Sequence, residues 1–530
     1  MLKTITFTNI PTYKTLLKQI AQLQIILGFI MIGPALIGTI YCEWYSVAGF
    51  LISGTVAAVS GYLIKTLLGE AKEPEQKHAM AIAALGWIMA IFIGGLPFYV
   101  IAHITPDNIM QSFVPAGMDY ESSLHNFKNY LHCVFESTSA YTTTGFTMAY
   151  HEPSIGKSLL FYRSFANFFG GAGFIIMALA VFRQLPGQGA VLLYSSEFSG
   201  EKLKTSVIST AKAIWKVYAG ITLTMALYLI IGTAVILPDY PLSDNIFDAI
   251  NHAMAGQATG GFSTLDNSIA EYNSAGMEIL HILPMFLGAL SFPFFYKLVM
   301  SKDIRMFWKD IQTRAIIIMC VLGSIVTSVL LIASDSVPNP IREGVFQFIS
   351  ALSTTGWQTS NMAAWDDSSL LFIVFVAMVV GGAAGATVGG IKVIRALLLQ
   401  KGLRWQINKV FLPKSAIKSV SFNYKRWLPE DMNAELARAA MYTILYLVIL
   451  FICTVITVQL MPEGFTLADA LFETTSAQST VGLSNGITDP SMNPALEIVF
   501  IIQMLAGRLE IIPLLVLARI LFFGTKSRML

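Results

Sequence analysis

Charge is what this chain has least of. Asp, Glu, Lys and Arg make up 12% of its 530 residues, against 55% hydrophobic residues, and a soluble domain carries about twice that charged fraction. The balance, 34 Lys and Arg against 32 Asp and Glu, leaves no basic footprint for nucleic acid, so no nucleic-acid partner is expected. Cysteine is scarce too. Cys42, Cys133, Cys320 and Cys453 stand far apart in or beside apolar stretches with no CxxC spacing, which argues against a thiolate metal site or a redox pair and reads as packing. An HExxH hydrolase motif is missing. GKS at Gly156 to Ser158 lacks the upstream glycine of a phosphate loop. After MLKTITFTNIPTYKTLLKQ no small-residue cleavage site precedes the first apolar run, so the N-terminus is expected to be retained and the first span to act as an anchor.

What is present is apolar sequence in lengths that cross a bilayer, about 20 residues each. Hydropathy places about ten spans: Ile20 to Tyr41, Ser46 to Leu68, Ala79 to His103, Leu159 to Phe182, Ala213 to Leu237, Ile279 to Met300, Ala315 to Ala333, Leu370 to Leu399, Ala439 to Leu460 and Leu496 to Phe522. The expected fold is therefore an all-α integral membrane protein. Arg183, Lys202, Lys204, Lys212 and Lys216 follow the fourth span, Lys302, Arg305, Lys309 and Arg314 the sixth, and a basic stretch fills Lys401 to Arg438. The positive-inside rule puts these loops, and with them both termini, in the cytoplasm. The opposite loops are acidic, with Asp107, Asp119, Glu121, Asp239, Asp244, Asp266, Glu271, Asp366, Asp367, Glu463 and Asp489.

After an extra N-terminal helix pair (1–75), the chain repeats span, outer loop, span four times. The units are 76–182, 183–300, 301–400 and 439–530, with a cytoplasmic basic linker at 401–438. Each outer loop holds a segment too short to span: Tyr130 to Thr142, Ile246 to Ala258, Arg342 to Ser353 and Leu467 to Ser479. These segments run into TTGFT (Thr143 to Thr147), TGGFS (Thr259 to Ser263), TTGWQ (Thr354 to Gln358) and TVGLS (Thr480 to Ser484), all of the form Thr-x-Gly-hydrophobic-polar. FESTSA (Phe135 to Ala140) and FETTSA (Phe472 to Ala477) extend the likeness backward in the first and fourth.

Non-helical backbone at membrane depth is tolerated only where protein or a watery cavity satisfies it, so four such loops imply one shared cavity. Inward carbonyls from four loops can replace the water shell of a cation, and threonine hydroxyls can add oxygens at the inner end. Glycine adopts the backbone angles this requires. Phe146, Phe262, Trp357 and Leu483 are expected to pack outward and brace the loops. Each half-helix directs its partly negative C-terminus at the cavity, which favours cations. Glu136 and Glu473 lie within two half-helices, with Gln347 at the equivalent place in the third; they either tie down the loop backbone, the preferred reading, or touch the ion.

On these loops, and on FYRSFANFFGGAGF (Phe161 to Phe174), GGAAGATVGGIKVIRALLL (Gly381 to Leu399) and AGRLEIIPLLVL (Ala506 to Leu517), the chain resembles the Trk/Ktr/HKT superfamily of potassium transporters, closest to bacterial Trk-type pore subunits, from about residue 20 onward. The resemblance implies a potassium-selective filter of Thr143, Thr144, Gly145, Thr259, Gly260, Gly261, Thr354, Thr355, Gly356, Thr480, Val481 and Gly482 around a central pseudo-tetrameric pore. Members with serine in the first loop tend to accept sodium; here that place is Gly145. Trp357-Gln358 and Leu483-Ser484 depart from the pattern and make the four walls unequal. Gly381, Gly382, Gly385, Gly389 and Gly390 are expected to interrupt the eighth span, glycine costing about 1 kcal/mol relative to alanine in a helix. By resemblance this run forms an intramembrane gate below the filter; close helix packing through small residues is the other reading.

Arg508, costly if it faces lipid, is implied to lie under the filter as a barrier to cations, unless it merely pairs with Glu510 or another carboxylate. Lys392 reads as reaching the cytoplasmic interface. Potassium would be the bound substrate, with no organic cofactor in this chain. Membrane lipids, a second copy forming a homodimer and a cytoplasmic TrkA-like NAD- or ATP-binding regulatory ring are the implied partners, and a bacterial inner membrane the location. The alternative is the potassium-binding pore subunit of an ATP-driven, Kdp-type pump.

Overall fold

A computed structural model describes residues 10–71, 76–173, 207–365, 368–411, 420–422 and 425–523. Among them the chain is helical apart from one small antiparallel hairpin, Val420–Phe422 with Lys425–Trp427. Among the described residues six helices are long and apolar enough to cross a membrane, and two further pairs are bent spans or re-entrant loops. Exposed Leu, Ile, Val and Phe side chains cover the outer faces of Trp44–Leu68, Val207–Ile236, Ile311–Ser334 and Pro429–Leu460, as expected where lipid replaces water.

Where the structure departs from the expected spans, local geometry explains it. The sixth span turns by 95° between Ala275–Gly288 and Phe292–Ser301, and the tenth by 113° between Pro494–Arg508 and Ile512–Phe523. Pro293 near the start of the second segment cannot continue a helix from before it. In the tenth, Glu510 and Ile511 take left-handed φ of 56° and 66°. The eighth span is a helix at Ser368–Val380, an irregular segment, and a second helix at Val393–Val410. The ninth helix begins at Pro429, ten residues before the expected Ala439, so the basic linker is largely helical at both ends. Residues 174–182 of the fourth span, and Arg183, Lys202, Lys204, Asp366 and Asp367, lie outside the described residues.

The N-terminal helices Ile10–Ile32 and Trp44–Leu68 pack along one another, with Gly28 and Gly54 at the crossing; a Cβ on either would meet the other's carbonyl. Glu43, between them, fastens the pair to the rest of the chain. Its carboxylate accepts from Lys157 N–H at 2.6 Å and Ser158 N–H at 3.0 Å, an anion on the free amides that open Lys157–Ala172. The GKS sequence is thus a capped helix start.

All four short segments are helices: Tyr130–Thr142, Leu242–Gln257, Pro340–Leu352 and Leu467–Gln478. Each stops where the Thr-x-Gly sequence begins, and their last turns are fully buried.

Candidate ion pathway

The four loops repeat one backbone geometry. Thr143, Thr259, Thr354 and Thr480 each take a left-handed φ, between 49° and 59°, and Gly145, Gly261, Gly356 and Gly482 follow with φ of 98°, 71°, 86° and 87°. Positive φ is costly for threonine, about 1–2 kcal/mol, and the hydrogen bonding shows what holds it. The amide after each threonine returns to a carbonyl of the half-helix: Thr144 to Ser139 at 2.9 Å, Gly260 to Ala255 at 2.7 Å, Thr355 to Ser350 at 3.0 Å and Val481 to Ser476 at 2.9 Å.

The loops close into a ring. A Cβ built on Gly145 would lie 2.8 Å from the Gly260 carbonyl oxygen. On Gly261 it would strike the oxygen of Thr355, on Gly356 that of Val481, and on Gly482 that of Thr144. The middle residue of each loop therefore presents its carbonyl to the glycine of the loop before, in the cyclic order one, two, three, four, one. Neighbouring loops come this close only because glycine has no side chain.

Above the ring is a cavity of about 910 Å³, lined by all four glycines together with Glu152, Asp266 and Glu271; among the described residues no Lys or Arg lines it. Burial pushes the partly buried Glu152 up to about 8, opposed by Arg163 and reinforced by Asp266 and Glu136. Asp266 is also raised, first by burial, with His151 at 3.3 Å working against it. Below the glycines, the hydroxyls of Thr143, Thr354 and Thr480 are buried without a hydrogen-bond partner among the described residues, which leaves their oxygens for a guest.

Nine residues before each ring glycine stands a polar side chain that braces the strand leaving the ring. Glu136 accepts from Met148 N–H at 2.7 Å and from the Thr147 hydroxyl at 3.1 Å, and Glu473 from Ser484 Oγ at 2.8 Å and the amides of Asn485 and Thr488 at 3.0 Å. Gln347, with its amide oxygen toward the two N–H groups, accepts from Thr359 and Ser360 at 3.0 Å. Bracing is therefore what these groups do.

In the second loop the same place is His252, whose imidazole does not resemble a carboxylate and which only the nine-residue register marks. Its bonds fix its tautomer. His281 Nδ1 faces the Met277 carbonyl at 2.7 Å and must carry a proton, so His281 Nε2 accepts from His252 Nδ1 at 3.3 Å, and His252 Nε2 accepts from Ser263 Oγ at 3.1 Å. Also unforeseen, Arg163 is buried 2.7 Å from Glu136 with its guanidinium over the Phe262 ring, and Asn167 donates to the Gly260 carbonyl at 3.1 Å.

Phe146, Phe262, Trp357 and Leu483 are buried behind the ring. The residues that depart from the common pattern join loops. Trp357 Nε1 donates to the Phe262 carbonyl at 3.1 Å, and Gln358 Nε2 to the Ser484 carbonyl at 2.9 Å, so loop three is stitched to both neighbours.

Residues 381–392 are non-helical and sit directly under the ring. Thr387 Oγ1 is 2.8 Å from Thr259 Oγ1, and a Cβ on Gly389 would collide with the Ser479 carbonyl. Gly385 O accepts from Phe292 N–H at 2.8 Å, Gly382 O from Val393 N–H at 2.9 Å, and a Cβ on Gly381 would come 2.5 Å from the Gly389 oxygen. Gly381, Gly385 and Gly390 have positive φ, so the segment is a folded loop rather than a helix-packing stripe. Arg508 reaches backbone carbonyls. It donates to the carbonyls of Thr387 at 2.5 Å, Gly171 at 2.7 Å and Gly170, joining the loop to the end of Lys157–Ala172. Glu510 takes Lys392 Nζ at 2.6 Å and the Arg395 guanidinium. Lys392 is therefore buried in an ion-pair cluster, not extended to the interface as expected; the partner lies 118 residues away in sequence.

Residues 78–527 match the profile of a family described as cation transport protein, TrkH. The chain belongs to the TrkH family of cation transport proteins. An uncharacterized cation transporter of Methanocaldococcus jannaschii is 32% identical over 94% of both chains, and the Trk system potassium uptake protein TrkH of Escherichia coli K12 is 27% identical over 95% of this chain and 98% of its own. The crystal structure of the potassium transporter TrkH from Vibrio parahaemolyticus superposes with a TM-score of 0.78 at 25% identity, covering 96% of this chain and 99% of that one. Family membership makes the chain a multi-pass membrane transporter and not an enzyme.

Proposed function

We propose that this chain takes up potassium through a single-chain pore whose selectivity filter is the ring of four Thr-x-Gly loops. The observation that carries the reading is the ring itself: carbonyls of Thr144, Gly260, Thr355 and Val481 in cyclic contact with the four glycines, under a cavity lined by three carboxylates and, among the described residues, no Lys or Arg. A dehydrated cation needs several oxygens at once, and the ring supplies them from backbone that glycine lets approach. The free hydroxyls of Thr143, Thr354 and Thr480 extend the oxygen ladder inward. The fourth, Thr259, is held by Thr387 of the glycine-rich loop, which couples the loop to the ring.

On this reading 76–182, 183–300, 301–400 and 439–530 are the four pore units, with 1–75 an added helix pair and 401–438 a cytoplasmic linker. Gly381 to Gly390 is the gate, and Arg508, bonded to Thr387 beneath the ring, places a positive charge in the path of a cation. Opening requires the loop to leave Thr259 and Arg508. A homodimer in the inner membrane, with both termini cytoplasmic and a nucleotide-binding ring acting on the gate, completes the proposal; the names of the Trk system relatives support it over the pump subunit.

The test is flux. Purified protein in liposomes should take up ⁸⁶Rb⁺ down a gradient, and external K⁺ should compete at least tenfold better than Na⁺. Equal competition would remove the filter from the account.

A further inference from the structure

The helix Ile311–Ser334 changes character within its first turns. Arg314 is exposed there, and after it Ile318, Leu322, Ile325 and Val329 are exposed at 45–59% along one face, the spacing of a stripe that meets hydrocarbon. The helix Val393–Val410 passes beside this start, and between the two is a groove of about 400 Å³. Its polar end is formed by Arg314, Lys401 and Arg404, all exposed, and its apolar part by Ala315, Ile318, Leu397 and the buried Phe422. Among the described residues no Asp or Glu lines it. None of the three cations has an ion pair among the described residues, and the carboxylate one turn back, Asp310, is occupied as the helix cap, accepting from Thr313 N–H at 2.8 Å.

The groove's position follows from the chain. Ile311–Ser334 ends six residues before the half-helix Pro340–Leu352, on the side of the acidic cavity, so Arg314 lies at the opposite membrane face. Three unpaired cations at one end of a groove and a lipid-facing stripe continuing from the other match only a ligand with an anionic head and an apolar tail. A soluble acidic protein would satisfy the charges but not the stripe. A second copy of the chain would bring apolar surface without a phosphate.

We propose that this groove binds an anionic phospholipid, its phosphate among Arg314, Lys401 and Arg404 and its acyl chains along Ile318, Leu322 and Ile325. Because Arg404 and Lys401 belong to the helix that leads out of the glycine-rich segment through Lys392 and Arg395, a bound lipid would tie that helix to Ile311–Ser334 at the membrane surface.

Native mass spectrometry of the detergent-purified full chain, titrated with phosphatidylglycerol or phosphatidylcholine, tests this. Phosphatidylglycerol should be retained at concentrations where phosphatidylcholine is not. Juxtamembrane cations each contribute roughly fivefold, so R314Q/K401Q/R404Q should weaken retention on the order of a hundredfold. Ile318→Trp, which fills the tail end and leaves every charge, should weaken it about tenfold. Lys302→Gln, an exposed cation outside the groove, should change nothing, and neither should millimolar inorganic phosphate. Melting temperature and elution volume report that each variant folds. The proposal is overturned by any of four results: equal retention of both lipids, no loss in the triple variant, an equal loss in Lys302→Gln, or full competition by free phosphate. It is also overturned if the triple variant keeps its lipid and loses instead a protein partner or its self-association.

Discussion

Replacing the ring glycines one at a time with alanine should damage the pore unequally, and the close contacts predict the order. At Gly145 the new methyl would stand 2.8 Å from the Gly260 oxygen, a gap that a small loop shift can relieve. At Gly261, Gly482 and Gly356 it would penetrate progressively deeper into the carbonyls of Thr355, Thr144 and Val481. The obstacle there is backbone, so relief requires a carbonyl to turn out of the ring. Left-handed backbone adds about 1–2 kcal/mol for a residue with a Cβ, and strain of this kind amounts to roughly 1–3 kcal/mol per site. A factor of ten corresponds to about 1.4 kcal/mol, so Gly356→Ala should lose about ten- to hundredfold in K⁺ over Na⁺ discrimination and Gly145→Ala less than about tenfold. The assay is ⁸⁶Rb⁺ uptake into liposomes with Na⁺ or K⁺ as competitor, with the melting temperature measured in parallel. Equal losses at all four positions, or the largest at Gly145, would refute the argument.

Two further outcomes follow from groups flanking the ring. Arg508→Ala removes a positive charge from under the pathway and unties Thr387; at an effective dielectric near 20, a charge roughly 8–15 Å from a cation contributes about 1–2 kcal/mol, so flux should rise roughly five- to thirtyfold. Unchanged flux and selectivity would assign Arg508 to structure alone. Glu152 is held up to about 8 by burial, so it is neutral at external pH 6 and negative at pH 9. Uptake at subsaturating K⁺ should increase across that range, and Glu152→Gln should flatten the profile; parallel profiles would exclude it. The stability sign is the reverse. The folded chain keeps a proton that the unfolded chain releases near 4.5, so stability falls as pH rises between 4.5 and 8, and Glu152→Gln should melt higher than the parent at pH 9.

The half-helices and their loops were legible because composition marks them. Pro, Asp or Asn bounds short apolar segments, and Thr-x-Gly ends each one; the helices fall within four residues of the expected limits. Hydropathy records how apolar a segment is, not where it points. The turns at 289–291 and at 509–511 therefore do not show in hydropathy, although Pro293 follows the first and Arg508 and Glu510 interrupt the apolar run at the second. Lys392 was misplaced because nothing near it in the chain foretells Glu510. The cyclic order of the loops, and the bridges from Trp357, Gln358, Arg163 and Asn167 that hold it, depend on contacts between distant segments. His252 was the avoidable omission, since its place nine residues before Gly261 matches Glu136, Gln347 and Glu473.

The most direct measurement is the position of a heavy potassium analogue in the protein itself. Anomalous scattering from crystals grown in Rb⁺ or Tl⁺ should show ions on the axis of the ring, level with the carbonyls of Thr144, Gly260, Thr355 and Val481 and with the hydroxyls of Thr143, Thr354 and Thr480, and excess Na⁺ should not displace them. Anomalous density absent from the ring, or erased equally by Na⁺ and K⁺, would contradict the account.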